Sequence, residues 1–156
     1  MTPRFILDEN VVILAQQGRD EYGNINSGCA DLVLQIIEIC HTVVVDDVLW
    51  DKYVEQLNHP GHRHPNEGTF LIRSLYHALA VSGKVDGLGH TAPILDDEQL
   101  IPPGSQDDTH LVRLAVETGA ILVTTDRALM DDLASCGFLT KYSLNLVSPE
   151  DALGLL

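Results

Sequence analysis

The sequence predicts a three-layer α/β/α fold with a central, mostly parallel sheet, and three observations point to it. Short apolar runs alternate along the chain with stretches of helical period. The runs are continuously apolar, which is typical of strands covered on both faces. The helical stretches are roughly 10 to 15 residues long, as crossovers between parallel strands require. The chain has 156 residues, so we expect residues 1–156 to form one domain.

Four apolar runs are predicted to be strands, because they are rich in Val, Ile and Leu and end at polar or turn residues. These runs cover residues 4–7, 42–45, 120–124 and 142–147. A segment rich in glycine and proline precedes the third run, and we expect residues 92–95 within it to form an edge strand.

The intervening segments are predicted to be helices from their apolar periodicity and their end signals. Ser27 is a candidate N-cap, and glycines at 18, 83, 119 and 137 follow helical segments. The predicted helices cover residues 11–17, 27–40, 46–57, 69–82, 105–118 and 127–135, with a last helical turn at 148–150. Residues 18–28 and 59–66 are predicted to be loops.

The composition is strongly acidic, with nine Lys and Arg against 23 Asp and Glu and a formal net charge of −14. Proteins that bind nucleic acid through generic phosphate contacts are basic, and this chain has no basic run. Either nucleic acid is not the partner, or metal ions and a few local cations make the contacts. Some of the acids could also form an ion site that is neutralised only when occupied.

The apolar runs are far shorter than the roughly 20 residues that a membrane span requires, so we expect no membrane partner. No signal peptide is recognisable at the N-terminus. Three cysteines, at 29, 40 and 136, are an odd number without paired spacing. This favours reduced thiols and a cytoplasmic location.

Three acids are predicted at the carboxyl edge of the sheet, where parallel sheets bind ligands. Asp8 follows the first strand, Asp126 follows the third, and Asp108 lies near the start of the helix that leads into the third. A further group lies on the helix after the second strand: Asp46, Asp47, Asp51 and Glu55. Clustered carboxylates repel one another unless they bind a cation, and oxygen ligands suit Mg²⁺ or Mn²⁺.

Each acid also has a structural interpretation. Asp8 could begin an Asx turn, and Asp126 could be a helix N-cap. Asp108 lies three residues after Ser105, as in a capping box. Asp46 and its neighbour suit the first turn of a helix. Because the three edge acids coincide at one end of the sheet, we favour a site.

Cationic residues near these acids are candidates for contacts with a substrate phosphate. His110 and Arg113 follow Asp108 on one helix and could face either substrate or solvent, and Arg127 follows Asp126. The histidines of the 59–66 loop could bind Zn²⁺ or Ni²⁺. We favour a solvated or substrate-facing loop for them: His59, His62 and His64.

Two motifs resemble those of the PIN-domain family. The segment Phe5-Ile6-Leu7-Asp8-Glu9-Asn10 is similar to the family's opening, an apolar strand that ends in Asp-x-Asn. In residues 108–127 an acid opens a helix, a small residue, Ala115, follows seven positions later, and Gly119 precedes a strand that ends in Thr-x-Asp. The order and spacing of both motifs match, and the resemblance covers the whole chain.

The resemblance implies a PIN-like α/β/α domain that acts as a Mg²⁺- or Mn²⁺-dependent ribonuclease, in many members a toxin held by an antitoxin. It implies that Asp8, Asp108 and Asp126 hold the metal, with Asn10 supporting the first acid and the Thr124 hydroxyl lining the site. The candidate partners are an RNA substrate, an antitoxin protein and a second copy of the chain.

Two positions depart from the family pattern. Lys52 occupies the place of a glutamate on the helix after the second strand, and Asp51 is the preferred substitute over Glu55, so we add Asp51 to the catalytic set. Ala128 occupies the place of a further acid, for which Asp107 or Asp131 is the candidate replacement. These departures and the acidic charge suggest an alternative function, a weakened PIN-like binding module within a protein complex.

Mutual repulsion should also raise the pKa of at least one of Asp8, Asp108 and Asp126 in the metal-free protein.

Overall fold

A five-stranded parallel sheet flanked by helices forms the frame of the molecule, in a computed structural model that describes residues 3–38, 42–62 and 85–156. The strands are β1 (Arg4–Leu7), β2 (Thr42–Val45), β3 (Val85–Gly87), β4 (Ile121–Val123) and β5 (Leu146–Val147). Their order across the sheet is β3-β2-β1-β4-β5. The predicted three-layer α/β/α class is therefore confirmed.

The central strand β1 explains the continuous apolar run near the N-terminus. It pairs with β2 on one side, where Phe5 is opposite Val43, and with β4 on the other, where Phe5 is opposite Ile121. Phe5, Ile6 and Leu7 are fully buried, because helices cover both faces of the strand.

The helices lie close to their predicted positions within the described residues. They are α1 (Glu9–Gln17), α2 (Gly28–Glu38), α3 (Asp47–Leu57), α4 (Thr109–Thr118), α5 (Arg127–Ser135), α6 (Phe138–Lys141) and α7 (Pro149–Leu153). Short 3₁₀ helices cover Pro60–His62, Glu98–Leu100 and Pro103–Asp108. The predicted helix at 69–82 and Cys40 at the predicted end of α2 lie outside the described residues.

Glycines end α1 and α4 as predicted. Gly18 has a φ of 64° and Gly119 a φ of 69°, and both belong to the left-handed region that side chains with a Cβ rarely adopt. The first helix begins at Glu9, two residues earlier than predicted, because the Asp8 side chain caps it.

The predicted edge strand at residues 92–95 is wrong. These residues pair with no strand, and the edge of the sheet is formed by β3. The backbone amide of Ala92 donates instead to Asp46 Oδ2 at 3.1 Å, and Pro93 has no amide hydrogen to contribute to a ladder. The buried Asp46 carboxylate, which also caps α3, thus anchors this loop.

The predicted strand at 142–147 is mostly wrong as well, because only its last two residues pair with β4. The other residues, 142–145, follow α6 as a turn and an irregular segment, and Ser143 has a φ of 51°.

The capping box that the spacing of Ser105 and Asp108 would allow does not form. The Ser105 hydroxyl donates to Asp132 Oδ2 on α5 at 2.6 Å, and the Asp108 side chain makes no capping hydrogen bond. Residues Pro103–Asp108 form a 3₁₀ helix that leads into α4. The Ser105 hydroxyl therefore makes a tertiary hydrogen bond to α5, and it does not make the local capping hydrogen bond.

Within the described ranges no helix has the length and apolar character to cross a membrane. Cys29 is buried and Cys136 is half-buried, and both are free thiols.

The strand order reverses between β1 and β4. The chain builds β1, β2 and β3 toward one edge and then adds β4 and β5 on the other side of β1. Sheets of this kind form a crevice at the carboxyl ends of the strands where the order reverses. In this molecule the crevice lies between the end of β1, at Asp8, and the end of β4, at Thr124.

Candidate functional site

Asp8 lies directly after β1 at the bottom of this crevice, with 1% of its surface exposed. Its Oδ1 accepts from the backbone amide of Asn10 at 3.2 Å, and its Oδ2 accepts from the Thr124 hydroxyl at 2.7 Å. Asp8 is therefore also the N-cap of α1. Asn10 supports Asp8 through its backbone, while its side chain is exposed.

The Thr124 hydroxyl connects two of the predicted acids. It donates to Asp8 and accepts from the backbone amide of Asp126 at 3.0 Å, and Thr124 is fully buried. Asp126 Oδ1 accepts in turn from the amide of Leu129 at 3.0 Å, which caps α5. One side chain thus sets the geometry of the ends of both β1 and β4.

Glu9 is a site residue that the sequence analysis missed. Its side chain is only 12% exposed, and its Oε1 accepts from His110 Nε2 at 2.7 Å. The other ring nitrogen of His110 faces the carbonyl oxygen of Asp107 at 3.1 Å. Both ring nitrogens of His110 therefore face hydrogen-bond acceptors. His110 is buried, so it contacts Glu9 and does not face solvent.

The pKa values of the neighbouring carboxyls are displaced in opposite directions. Burial raises the pKa of Asp8 to about 8, and a hydrogen bond shared with Glu9 adds to this increase, whereas the Thr124 hydroxyl opposes it. Burial also acts to raise the pKa of Glu9, but the hydrogen bonds from His110 and Asp8 outweigh it and lower that pKa. The two neighbouring carboxyls therefore titrate as a pair, and Asp8 is the harder of the two to ionise.

Burial raises the pKa of Asp108, and the nearby charges of Asp126 and Glu9 add to the increase. The predicted rise in at least one acid is thus confirmed for Asp8 and Asp108. Its main cause is burial, and mutual repulsion comes second at Asp108.

Several of these side chains line an open groove of about 210 Å³, which we call the acidic groove. Its lining residues are Asp8, Glu9, Asn10, Ile13, Lys52, Gln56, Asp107 and Asp108. The groove therefore brings together two of the three predicted metal ligands, and Asp126 lies outside its lining.

A second groove, of about 470 Å³, lies at the carboxyl ends of β4 and β5, and we call it the β4–β5 groove. It is lined by Glu21, Thr124, Thr125, Arg127, Met130, Asp131, Leu146, Val147, Ser148, Pro149, Glu150 and Asp151. Asp8 lines the first groove and Thr124 the second, so the hydrogen bond between them joins the linings of the two grooves.

The residues on α3 are arranged differently from the prediction. Asp51 is exposed and is not part of the lining of the acidic groove, whereas Lys52 and Gln56 are. Lys52 Nζ lies 3.9 Å from Glu9 Oε1. Lys52, the position that departs from the resembled motif, therefore places an ammonium group at the groove.

The remaining predicted cations divide between structure and surface. Arg113 donates from Nε to Glu98 Oε2 at 2.9 Å and also pairs with Oε1 of the same carboxylate, so its guanidinium is engaged. Arg127 is exposed and lines the β4–β5 groove. Ala128 is exposed beside it.

The described histidines of the 59–66 loop make local contacts. The rings of His59 and His62 lie 4.7 Å apart, His62 Nδ1 is 2.9 Å from the carbonyl oxygen of Gln56, and His59 Nδ1 accepts from the amide of Gly61 at 3.0 Å. His64 lies outside the described residues.

The acidic groove has the right kind of donor atoms for a hard cation but no closed cage. Among the residues that the structure describes, no three His, Cys, Asp or Glu side chains are grouped closely enough to hold a metal ion. Glu9 Oε2 is buried and has no hydrogen-bond partner among the described residues. Mg²⁺ is commonly held by one or two carboxylates together with water and substrate phosphates. The donor set therefore fits a cation that arrives with a phosphate ligand.

Comparison with known proteins adds no family to this geometry, because no protein-family model matches the chain and no curated protein matches it either.

Proposed function

We propose that this chain is a PIN-like, metal-dependent endoribonuclease that hydrolyses RNA phosphodiesters at the crevice between β1 and β4. The supporting observation is the buried Asp8 at the strand-order reversal, hydrogen-bonded to Thr124 and sharing the acidic groove with Asp108. A carboxyl group in this position, with a pKa displaced upward by burial, is a feature of functional sites more often than of surface turns.

Asp8 and Asp108, which line the acidic groove, would hold the Mg²⁺ or Mn²⁺ ion, and Asp126, the third predicted ligand, lies at the end of β4 outside that lining. When bound, such an ion polarises a phosphodiester and lowers the pKa of an attacking water. Thr124 orients Asp8, and His110 keeps the Glu9 carboxylate in place at the groove wall. The mechanism uses no Ser or Cys nucleophile and no covalent intermediate.

The proposed setting is the cytoplasm, where the enzyme would be the toxin of a toxin–antitoxin pair. This part of the proposal rests on the motif resemblance and on the cysteine content. A neighbouring gene for a small DNA-binding protein would support it.

The test is cleavage of structured RNAs, tRNA included, with and without Mn²⁺. We expect the double substitution Asp8→Asn with Asp126→Asn to lower the cleavage rate by more than about 100-fold, the upper figure for residues that only support metal ligands. Asp47→Asn is the matched control, because it removes an exposed carboxylate from the first turn of α3. Absence of metal-dependent cleavage on every RNA would contradict the proposal.

A second candidate function is a PIN-like binding module in a protein complex. The observation that favours it is the positive charge of Lys52 at the groove, together with the lack of a three-residue metal group among the described residues. Calorimetric titration with Mn²⁺ separates the two functions. Tight binding that Asp8→Asn abolishes supports the enzyme, and no binding supports the module.

A further inference from the structure

Lys52 is the cationic residue of the acidic groove. The carboxyl groups in its lining belong to Asp8, Glu9, Asp107 and Asp108, and no second Lys, Arg or His is among the described residues that line it. The Lys52 side chain is 40% exposed, so its ammonium group can meet a ligand that enters from solvent.

The Lys52 ammonium group makes no hydrogen bond to Glu9, the acid with which it pairs. Glu9 Oε1 already accepts a 2.7 Å hydrogen bond from His110, whereas Lys52 Nζ is 3.9 Å away, which is longer than a hydrogen bond. Within the described part of the chain, Lys52 Nζ makes no other polar contact. Its three donors therefore remain available.

Two other cations of the described chain, Arg113 and Lys141, make closer contacts with acids. Arg113 makes a two-point contact with Glu98, and Lys141 donates to Asp97 and lies over the ring of Tyr142. Those contacts join segments of the fold. The weaker attachment of Lys52 distinguishes it from such structural pairs.

A phosphodiester that enters this groove meets carboxyl groups, which repel it unless a positive charge lies at hand. A lysine ammonium is a compact charge with three donors and suits a phosphate oxygen. We propose that Lys52 is the phosphate-binding group of the acidic groove and contacts a non-bridging oxygen of an RNA phosphodiester next to Asp8 and Asp108. The identity of the ligand as RNA rests on the proposed function.

The experiment compares wild type, Lys52→Met, Lys52→Arg and Lys141→Met. Lys141→Met makes the same charge change at an exposed position outside both grooves. Binding of a short fluorescent single-stranded RNA is followed by anisotropy in EDTA, where no metal-dependent cleavage occurs, over about 20 to 200 mM salt. Thermal unfolding of each variant is recorded alongside.

We expect Lys52→Met to weaken RNA binding by roughly threefold to tenfold and to reduce the slope of log Kd against log salt by about 1, as loss of one phosphate contact requires. Lys52→Arg and Lys141→Met should bind like the wild type. Equal binding by Lys52→Met and Lys141→Met would overturn the proposal, as would loss of binding in Lys52→Arg or a wild type that binds no RNA at the lowest salt.

Cleavage assays on the same proteins separate this proposal from the proposed function. RNA binding that depends on Lys52, without cleavage in Mn²⁺ or Mg²⁺, supports the phosphate site and contradicts the nuclease. Metal-dependent cleavage in which Lys52→Met matches Lys141→Met in both KM and kcat supports the nuclease and contradicts a role for Lys52.

Discussion

Residues 95–101 form a loop that contacts α4 and α6 through Glu98 and Asp97. This loop and the acidic groove both contain buried or half-buried acids, but the charges of these acids are balanced differently. In the loop, Glu98 pairs with Arg113 and Asp97 pairs with Lys141. The hydrogen bond from Arg113 lowers the pKa of Glu98, and the one from Lys141 lowers the pKa of Asp97. Glu98 and Asp97 therefore each have a cation of their own.

In the groove, no cation pairs with Asp8 or Asp108 among the described residues, and burial raises the pKa of both. The His110 ring and the Lys52 ammonium both face Glu9. Carboxyls that are matched one to one join segments of the fold, whereas carboxyls left without a cation cost stability unless a ligand compensates. The difference distinguishes acids that join segments of the fold through a cation from groove acids that have no such partner among the described residues.

The sharpest test of this comparison, with the largest expected effect, is the pH dependence of Asp8→Asn. Since the pKa of Asp8 is raised to about 8 by folding, the folded protein holds this proton more tightly than the unfolded chain. Its contribution to stability is complete below about pH 4, the ordinary pKa, and is lost as the pH rises toward the raised value. We expect Asp8→Asn to gain melting temperature relative to wild type between pH 5 and 8.5.

The measurement is thermal unfolding without metal at several pH values, with Asp47→Asn as the control. The titration of Glu9 does not affect this comparison. Because folding lowers the pKa of Glu9, its contribution to stability is lost only as the pH falls through that lowered value. A difference between Asp8→Asn and wild type that stays constant with pH would contradict the raised pKa.

A second test removes the hydroxyl that joins the two strand ends. Thr124→Val leaves Asp8 Oδ2 and the amide of Asp126 without their buried partner. We expect the free energy of unfolding to fall by about 2 kcal/mol at pH 7, which corresponds to roughly 4–8 °C in Tm for a chain of this size. Thr124→Ser keeps the hydroxyl and should lose less. Equal Tm values for the two variants would mean that the hydroxyl does not connect the strand ends.

The smallest effect is expected in the loop. Glu98→Gln weakens a two-point contact with Arg113 at the partly exposed edge of the molecule, and we expect a loss of about 1 kcal/mol, or roughly 2–4 °C in Tm. RNA cleavage should stay at the wild-type rate. Glu117→Gln, at an exposed contact with His90, is the control. A large loss of cleavage in Glu98→Gln would contradict the distinction between cation-paired acids in the loop and unpaired acids in the groove.

The sequence predicted the sheet class, strands β1 and β2, and the position of Asp8, because these follow from local patterns. Continuous apolar runs mark buried strands, and an acid directly after such a run lies at the carboxyl edge. The same reasoning missed β3 and misplaced an edge strand at 92–95, because that loop is held by the Asp46 carboxylate from a distant part of the chain.

Glu9 and His110 show why the rest of the site needed the structure. They are separated by 101 positions in the chain and meet only because β1 and α4 pack together. Their hydrogen bond converts an acid that looks like part of a polar turn into a buried group with a lowered pKa. The sequence made His110 a candidate for contacts with a substrate phosphate, and the structure shows its buried ring bonded to Glu9.

By itself the sequence determined the fold class and the presence of acids at one edge of the sheet, since burial patterns and turn chemistry are local properties of the chain. The tertiary structure alone decided which of those acids share a groove, which cation faces them and which are paired elsewhere. Charge balance depends on distances between segments far apart in sequence, and within the described residues those distances leave Asp8 and Asp108 without a paired cation while Lys52 faces their groove.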